Sequence, residues 1–232
     1  AKRRGISLRF VGPYAVKLRC PSSSELTIDA DLEGSDLDFI AYGQDRRVLR
    51  DLLTGLGYVQ DKSITISGGT EREIFIDSKQ GVRMNLFYDR LRGWHEIDFK
   101  GRLELDYPTI TPSDLFLQTI QKVKIDVKDV KSLIALLKEY PIGCEEKSTI
   151  NVHHVSRRMA ADWGFYYTTT MNLKKVKEFL SSFTILDIRA RVEIDQKVDR
   201  LLKAIEDEPK TLAWKLRAKL GTSVKWYNDV KS

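Results

Sequence analysis

The stretch "EGSDLDFIAYG", residues 33–43, places two aspartates at the start of a strand-like apolar run. Successive side chains of a β-strand point to opposite faces, so Asp36 and Asp38 are predicted to share one face, about 6 to 7 Å apart. Two such carboxylates repel each other at a solvated strand end, whereas Mg²⁺ binds both because it prefers carboxylate oxygens. The pair therefore indicates either a solvated strand end or a magnesium site.

Composition limits the class of protein. The chain has 232 residues, 42% of them hydrophobic, which is enough for one large domain or two smaller ones. No apolar run is long enough for a membrane span or a signal peptide, so we expect a cytoplasmic protein without a membrane partner. Cys20 and Cys144 have no C-x-x-C spacing, which predicts free thiols rather than a disulfide or zinc framework.

The apolar periodicity changes near Tyr107-Pro108. Before that point, helices are predicted after Gly12-Pro13 and over "DRRVLRDLLTGLG", with a hairpin turn at "SGGTERE". The remaining runs there predict strands: "ISLRFV", "LDFIAY", "YVQ", "SITIS", "EIFID", "VRMNLFY", "HEIDF" and "RLELDY". After that point six helices are predicted, the third closed by Gly164. We therefore predict an α+β fold, with a mixed-sheet domain over residues 1–107 and an all-helical domain over residues 108–232.

Positive charge is concentrated in the second half. Residues 1–107 hold 17 basic and 17 acidic side chains, whereas residues 108–232 hold 22 and 16. Near the C-terminus, basic residues alternate with Trp214, Trp226 and Tyr227. Such a pattern is typical of a surface that follows a nucleic-acid backbone, but also of a terminal helix whose lysines are merely solvated. The candidate nucleic-acid-binding residues are Lys215, Arg217, Lys219 and Lys225.

These features together resemble a known superfamily. The relevant segments are "FVGPYAVKLRCP", "SDLDFIAYG", "HEIDFKGRLELDYPTITPSDLFLQTIQKV", "IDVKDVKSLIALL", "INVHHVSRRMAADWG" and "PKTLAWKLRAKLG". Over nearly the whole chain they resemble the nucleotidyltransferase superfamily, in particular uncharacterised nucleotidyltransferase-fold proteins related to the AbiEii toxin group. The resemblance implies a nucleotidyltransferase-like sheet domain followed by a helical domain.

The resemblance also implies roles for individual residues. In the superfamily two strand aspartates hold Mg²⁺, which implies metal and catalytic roles for Asp36 and Asp38. An early glycine pair contacts the nucleotide phosphates, which implies such a role for Gly12, although Pro13 replaces the second glycine and lacks an N–H. Gly34-Ser35, directly before the aspartates, is expected to supply peptide groups for the phosphates instead.

Two positions depart from the superfamily pattern. The third carboxylate, a metal ligand that also activates the acceptor, is replaced by Asn85, which can ligate a metal through its carbonyl oxygen but cannot take a proton. Asp89 is a further candidate ligand, and Asp98 is a candidate catalytic carboxylate on an adjacent strand. The usual helix lysine is replaced by Thr119, and Lys122, three residues later on the same face, is expected to supply its charge to the nucleotide.

Three functions remain open from the sequence. The first is Mg²⁺-dependent transfer of a nucleoside monophosphate from an NTP to RNA, tRNA, a protein or a small molecule, with paired metal ligands suiting in-line displacement at phosphorus. The second is a degenerate protein that binds nucleotide or RNA through its basic helical half without transfer. The third is an interaction module of a toxin-antitoxin-like pair that retains only the fold. Neither the base, the acceptor nor the oligomeric state follows from the sequence.

Overall fold

The computed structural model describes residues 4–27, 36–61 and 72–230, and it contains a five-stranded sheet in the first half of the chain. The strands of this sheet are β1 (Arg9–Phe10), β2 (Leu37–Ala41), β3 (Tyr58–Asp61), β4 (Arg72–Asp77) and β5 (Arg83–Tyr88). Their spatial order is β1-β2-β5-β4-β3. The central strands β2 and β5 are parallel, and the other neighbours are antiparallel. The sheet is therefore mixed, as predicted.

Helices dominate the second half. Two short sheets accompany them, one of β6 (Arg90–Arg92) and β7 (Glu96–Asp98), the other of β8 (Ile142–Gly143) and β9 (Ile150–Asn151). The helices are α1 (Gly12–Arg19), α2 (Ser24–Thr27), α3 (Arg46–Gly55), α4 (Pro112–Ile120), α5 (Val127–Glu139), α6 (Val152–Ala161), α7 (Trp163–Ser182), α8 (Ile188–Asp207) and α9 (Leu212–Leu220). The six predicted helices of the second half are present as α4 to α9, but β8 and β9 lie there too, so this half is not all-helical. Within the described ranges, no helix is both long enough and apolar enough to cross a bilayer.

The two faces of the sheet pack against different partners because strand side chains alternate. Phe39 and Ala41 of β2 face the cluster that includes Leu49 and Leu53 of α3. Ile40, between them, belongs to the cluster formed mainly by the helices. Asp36 and Asp38 share the parity of Ile40. They are therefore directed to the side of the sheet that the helical half covers.

The segments on either side of residue 108 share one hydrophobic core. Helix α1 contributes Ala15 and Val16 to the same buried cluster as the helices that follow residue 108. The chain is also joined there through its backbone, because the N–H of Phe10 donates to the carbonyl of Pro108 at 3.0 Å. The N–H of Ile110 in turn donates to the carbonyl of Phe10 at 3.3 Å. The change of period at this point marks a change of secondary structure within a continuous core.

Two local predictions are wrong. The run "RLELDY" forms turns rather than a strand, with Leu103 buried in the helical cluster. Gly164 does not close a helix, because α6 already ends at Ala161 and Asp162 caps the next helix by accepting from the N–H of Phe165. Gly164 instead lies in the first turn of α7. The predicted strand "SITIS" and the Gly68-Gly69 turn lie outside the described residues.

A substitution in β2 tests the shared core. Ile40→Ala removes a fully buried side chain and is expected to lower the free energy of unfolding by about 2 to 5 kcal/mol. Leu56→Ala, at a side chain that is 66% exposed, is the control and should change it by less than about 0.5 kcal/mol. Urea unfolding followed by far-UV and near-UV circular dichroism should give one transition that shifts as a unit. Two transitions, of which only one moves, would contradict a continuous core.

Candidate functional site

Asp36, which directly precedes β2, and Asp38, within β2, meet Asn85 of β5 across the parallel strand pair. The register places Asp38 directly opposite Asn85. The side-chain amide of Asn85 donates from Nδ2 to Oδ1 of Asp38 at 2.7 Å and to Oδ2 of Asp36 at 3.1 Å. A single NH₂ group therefore joins both carboxylates, which is possible only if they lie on the same face of β2. The predicted pairing of Asp36 with Asp38 is present in the structure.

Helix α1 begins against the carboxylate of Asp38. The N–H of Val11, the N-cap residue of α1, donates to the carbonyl of Asp38 at 2.9 Å. Gly12 has a φ of +74°, and a Cβ atom at this position would lie 2.8 Å from Oδ2 of Asp38. Glycine is therefore required both by the backbone and by the space beside the carboxylate. The positive end of the α1 dipole lies next to the acidic pair and favours anions there.

Burial raises the pKa of the Asp38 carboxyl, because the charged form is poorly solvated. The hydrogen bond from Asn85 opposes that shift, and the negative charge of Asp36 adds to it. The positive charge of Arg72 lowers the pKa by a smaller amount. Asp36 is closer to solvent and has Nε of Arg83 at 3.7 Å from its Oδ1. The site thus combines one half-buried carboxylate with one that is more accessible.

A cleft of about 280 Å³ opens beside Asp38. It lies between the start of α1 and the C-terminal end of α4, which contributes Gln118 and Thr119, and it is also lined by Gln121 and Lys122, which directly follow that helix. Asp129 and Ser132 of α5, together with Gly93, Trp94 and Val230, form the other lining. Both halves of the chain are therefore needed to form the cleft. It brings Asp38, Gly12 and Lys122 to one place, whereas Asp36 and Asn85 are not among its lining residues.

Lys122 is held on the cleft wall by an ion pair with Asp129. Burial raises the pKa of the Asp129 carboxyl, and the neighbouring lysine opposes the rise. The other carboxylate oxygen of Asp129 accepts from the N–H of Asp126 in the capping box of α5. Because Asp129 is fixed by its helix, it positions the ammonium group of Lys122 at the cleft. The lysine side chain is 43% exposed and keeps donor capacity for a ligand.

The donor set fits one hard divalent cation. Oδ1 of Asn85 is buried and accepts no hydrogen bond from any residue in the described part of the chain. That carbonyl oxygen and the carboxylates of Asp36 and Asp38 are the kinds of ligand that Mg²⁺ takes. Across residues 4–27, 36–61 and 72–230, no group of three or more His, Cys, Asp or Glu side chains is arranged to hold a metal ion. Two carboxylates and one amide are thus the available set.

The other carboxylate candidates lie elsewhere. Asp89 follows the end of β5, and its Oδ1 accepts from the N–H of Gly43 at 3.0 Å. The end of β5 adjoins the end of β2, because Tyr88 pairs with Ala41 in the parallel register. Asp89 therefore lies at the end of β5 that is next to Ala41, away from Asp36, Asp38 and Asn85. Strand parity gives only the face of a side chain, so it did not predict this separation. Its expected role as a ligand beside Asn85 is not supported by this placement.

Asp98 is on β7, which pairs only with β6 among the described strands and is not adjacent to β5 in the five-stranded sheet. The Asp98 side chain is exposed, and its Oδ1 accepts from the N–H of Lys100 at 2.8 Å. The predicted position on a strand adjacent to Asn85 is therefore wrong. The hairpin of β6 and β7 follows β5 in sequence but turns out of the sheet, so Asp98 does not line the cleft.

The predicted phosphate-binding glycines have mixed outcomes. The N–H of Gly12 donates to Oε1 of Gln118 at 2.9 Å, so it is engaged with α4 rather than directed at a ligand. Because it lacks a side chain, Gly12 leaves space beside the Asp38 carboxylate; it does not offer its N–H to a ligand. Gly34 and Ser35 lie outside the described residues.

The predicted basic surface divides into two pairs. Arg217 donates to the carbonyls of Gly221 at 2.8 Å and Val224 at 2.7 Å, and its guanidinium lies 4.6 Å from the ring centre of Trp163. Lys225 forms an ion pair with Asp229. These two side chains hold the C-terminal segment in place. Lys215 and Lys219 are exposed on α9.

Sequence reasoning did not identify several cleft residues. Gln118, Gln121, Trp94 and Asp129 line the cleft beside the predicted Lys122. Helix α4 is otherwise almost entirely buried, so a polar face formed by Gln118, Thr119, Gln121 and Lys122 was a signal available in "DLFLQTIQK". Trp94 had no such signal, because its position depends on the β6–β7 hairpin.

Comparison of this chain with protein-family models, with curated proteins and with solved structures gives no match. The geometry of the site therefore carries the functional argument.

The pKa of Asp38 predicts a pH-dependent effect of its removal. Above the ordinary aspartate pKa of about 3.9 the folded protein must keep a buried carboxyl ionised, and this costs stability. Asp38→Asn is therefore expected to raise the free energy of unfolding at pH 7, while the gain shrinks as the pH falls through the raised pKa. Thermal melts between pH 3 and pH 8 measure this, with the exposed Asp51→Asn as control. A gain that is independent of pH, or a loss at pH 7, would contradict the burial argument.

Proposed function

We propose that the protein binds a Mg²⁺–nucleoside triphosphate at Asp36 and Asp38 and transfers the nucleoside monophosphate to an acceptor. The observation that carries the proposal is the meeting of Asp36, Asp38 and Asn85 across β2 and β5, where Asp38 also lines a cleft that holds Lys122. An acidic pair at the N-terminus of a helix, with a lysine across the cleft, is an arrangement suited to a polyphosphate and its cation. The resemblance to nucleotidyltransferases supports the same chemistry.

Asp36 and Asp38 would hold the cation, and Asn85 would join them as a ligand once its amide turns, so that Oδ1 takes the place beside the carboxylates that Nδ2 has in the metal-free protein. When bound, Mg²⁺ neutralises phosphate charge and stabilises the oxygens that carry negative charge during an in-line displacement. Without it, the carboxylates of Asp36 and Asp38 repel a triphosphate. The amide hydrogens of Asn85, which now bridge the carboxylates, neutralise part of that repulsion in the metal-free protein.

The proposed reaction is a single displacement at the α-phosphorus. The oxygen of an acceptor hydroxyl forms a bond to the α-phosphorus, the bond from that phosphorus to the bridging oxygen breaks, and pyrophosphate leaves. The ammonium group of Lys122 faces the cleft and attracts the phosphates. Asn85 cannot take a proton, so the proton of the acceptor hydroxyl passes to water. The acceptors considered are RNA, including tRNA, a protein side chain and a small molecule.

A second candidate function is nucleotide binding without transfer. The observation that favours it is Asn85, an amide at the position where a third carboxylate would activate the acceptor. Within the described residues, the cleft's other carboxylate, Asp129, is already occupied by Lys122 and the backbone of α5. Such a site retains the cation and the triphosphate but lacks a base. Measuring both binding and transfer separates the two functions.

Ligand-induced stabilisation tests binding. Each α,β-methylene ribonucleoside triphosphate, with Mg²⁺, at about 100 times its dissociation constant adds about 2.7 kcal/mol to the unfolding free energy. This corresponds to a rise in Tm of roughly 5 to 10 °C for a chain of this size. The double variant Asp36→Asn/Asp38→Asn should show no rise, and Asp51→Asn should retain the full rise. An equal rise in Tm in the wild type and the double variant, or no rise in either, would show that Asp36 and Asp38 are a solvated strand end and not a ligand site.

Asn85→Asp tests the third ligand position. The variant loses the NH₂ group that joins the two carboxylates and gains a negative charge, so its metal-free Tm should fall. Its Tm rise with Mg²⁺ and the nucleotide should exceed that of the wild type. Incubation with α-³²P-labelled NTP and total RNA then detects transfer and pyrophosphate release. Transfer by the wild type supports the first function, and transfer only by Asn85→Asp supports the second.

An RNA acceptor would require a positively charged surface, for which Lys215 and Lys219, both exposed on α9, are candidates. Affinity for bulk tRNA should then fall with salt by about 0.7 to 0.9 log units per log unit of salt for each phosphate contacted. Lys215→Glu/Lys219→Glu should lower that slope by roughly 1.5. Lys79→Glu/Lys100→Glu changes the net charge equally at other exposed positions and is the control. Equal slopes for both double variants would assign the binding to overall charge.

A further inference from the structure

The segment after α9 runs back to the candidate cleft. Residues 224–230, which we call the C-terminal strap, extend from the end of α9 past α7 to the β6–β7 hairpin. The N–H of Asn228 donates to the carbonyl of Trp94 at 3.0 Å. Val230 then lines the cleft together with Asp38 and Lys122. The strap therefore forms one wall of the proposed nucleotide site.

Aromatic side chains anchor the strap. Nε1 of Trp226 donates to Oγ1 of Thr168 at 3.1 Å, and the Trp226 ring meets Tyr167 edge-on, with ring centres 5.0 Å apart. Tyr227 contacts Trp94, a cleft-lining residue, with ring centres 5.3 Å apart. The position of Trp94 at the cleft is thus coupled to the position of the strap.

A glycine in α7 admits the strap backbone. A Cβ atom at Gly164 would lie 2.3 Å from the carbonyl oxygen of Trp226, a distance at which the backbone must shift. Gly164 lies in a helix, where alanine is the more stable residue by about 1 kcal/mol. A glycine at this position of α7 is therefore explained by the close approach of the strap.

The strap is held more weakly than the core beneath it. Trp226 and Tyr227 are half-buried, and the other strap residues are exposed, with Val230 at 45%. Segments with few buried contacts open at lower free energy than the global unfolding transition. These contacts thus define one position of the strap, and the free energy needed to open it is low.

The size of the cleft suggests what the strap does. With the strap in place the volume is about 280 Å³, just below the range of about 300 to 1,000 Å³ that is usual for small-molecule sites. We propose that the strap is a gate that limits the cleft and moves aside when a nucleoside triphosphate enters. The identity of the ligand rests on the proposed function, whereas the movement of the strap is measurable without any ligand. Opening exposes the cleft between Asp38 and Trp94 and removes Val230 from its wall.

Two glycine-to-alanine variants test the gate. Gly164→Ala displaces the strap without changing a residue of the strap or of the cleft. Gly55→Ala, in α3, is the matched control because a Cβ atom there meets nothing within 4 Å. A thiol reporter, Thr119→Cys, is placed on the cleft wall in a Cys144→Ser background, which removes the exposed native thiol and leaves Cys20 buried. A maleimide then labels the reporter at a rate proportional to the open population.

Labelling should be about three to ten times faster with Gly164→Ala than with Gly55→Ala, because the open fraction rises. Trp226→Ala, which removes an anchor instead of adding a clash, should give the same acceleration and covers the case in which Gly164→Ala fails to fold. Hydrogen exchange of residues 224–230 should increase in parallel. Labelling at the control rate in both variants would overturn the gate.

Nucleotide binding adds a separate readout. With Mg²⁺ and α,β-methylene-ATP, hydrogen exchange of the strap should increase in the wild type, and Gly164→Ala should bind about three to ten times more tightly. If labelling accelerates while affinity is unchanged, the claim that nucleotide entry requires the strap to move is overturned. If neither the wild type nor a variant binds any of the four α,β-methylene ribonucleoside triphosphates, the proposed function fails. The labelling rates then still decide whether the strap gates the cleft.

Discussion

The parallel pairing of β2 with β5 is the constraint on which the site depends. Its register places Asp38 opposite Asn85, and one amide group then joins both carboxylates of β2. The pair lies on the face of the sheet covered by the helical half, because strand side chains alternate between two partners. The start of α1 is fixed beside Asp38, because the N–H of Val11 donates to the backbone carbonyl of that residue. The two carboxylates, the Asn85 amide and the N-terminus of α1 therefore meet near the start of β2.

The periodicity of the sequence predicts which neighbouring side chains share a face of one strand or helix. The common face of Asp36 and Asp38 follows from a period of two and is present. Lys122 does line the cleft beside Thr119, but α4 ends at Ile120, so the helical repeat that predicted their shared face does not extend to Lys122. The predicted positions of Asp89 and Asp98 differ from the structure. Strand parity gives the face of a side chain, but not the end of the strand at which Asp89 lies, nor the strand that neighbours Asp98. Asn85 was identified by position, but its bridging amide depends on a pairing with Asp38, which is 47 residues earlier in the chain. That pairing is a tertiary fact.

Charge counts predicted the basic C-terminal segment but not its use. Arg217 and Lys225 would count equally with Lys215 and Lys219 in any sum of charges, yet the first two bind backbone carbonyls and an aspartate of the same segment. A charged side chain near an irregular segment often satisfies that segment's backbone groups. Gly164 shows the same limit, since the sequence pattern predicts a helix end there, whereas the structure has a close contact with the backbone of Trp226. Both outcomes depend on where the chain returns after α9.

The cleft is assembled from distant parts of the chain, and this has a consequence for biosynthesis. Asp36 and Asp38 leave the ribosome long before Gln118, Lys122 and Asp129, which form the opposite wall. Val230, on a third side, is translated later still. A nascent chain therefore carries the paired carboxylates before the residues that enclose the cleft have been synthesised. A chain interrupted before α4 would retain the acidic pair but not the cleft.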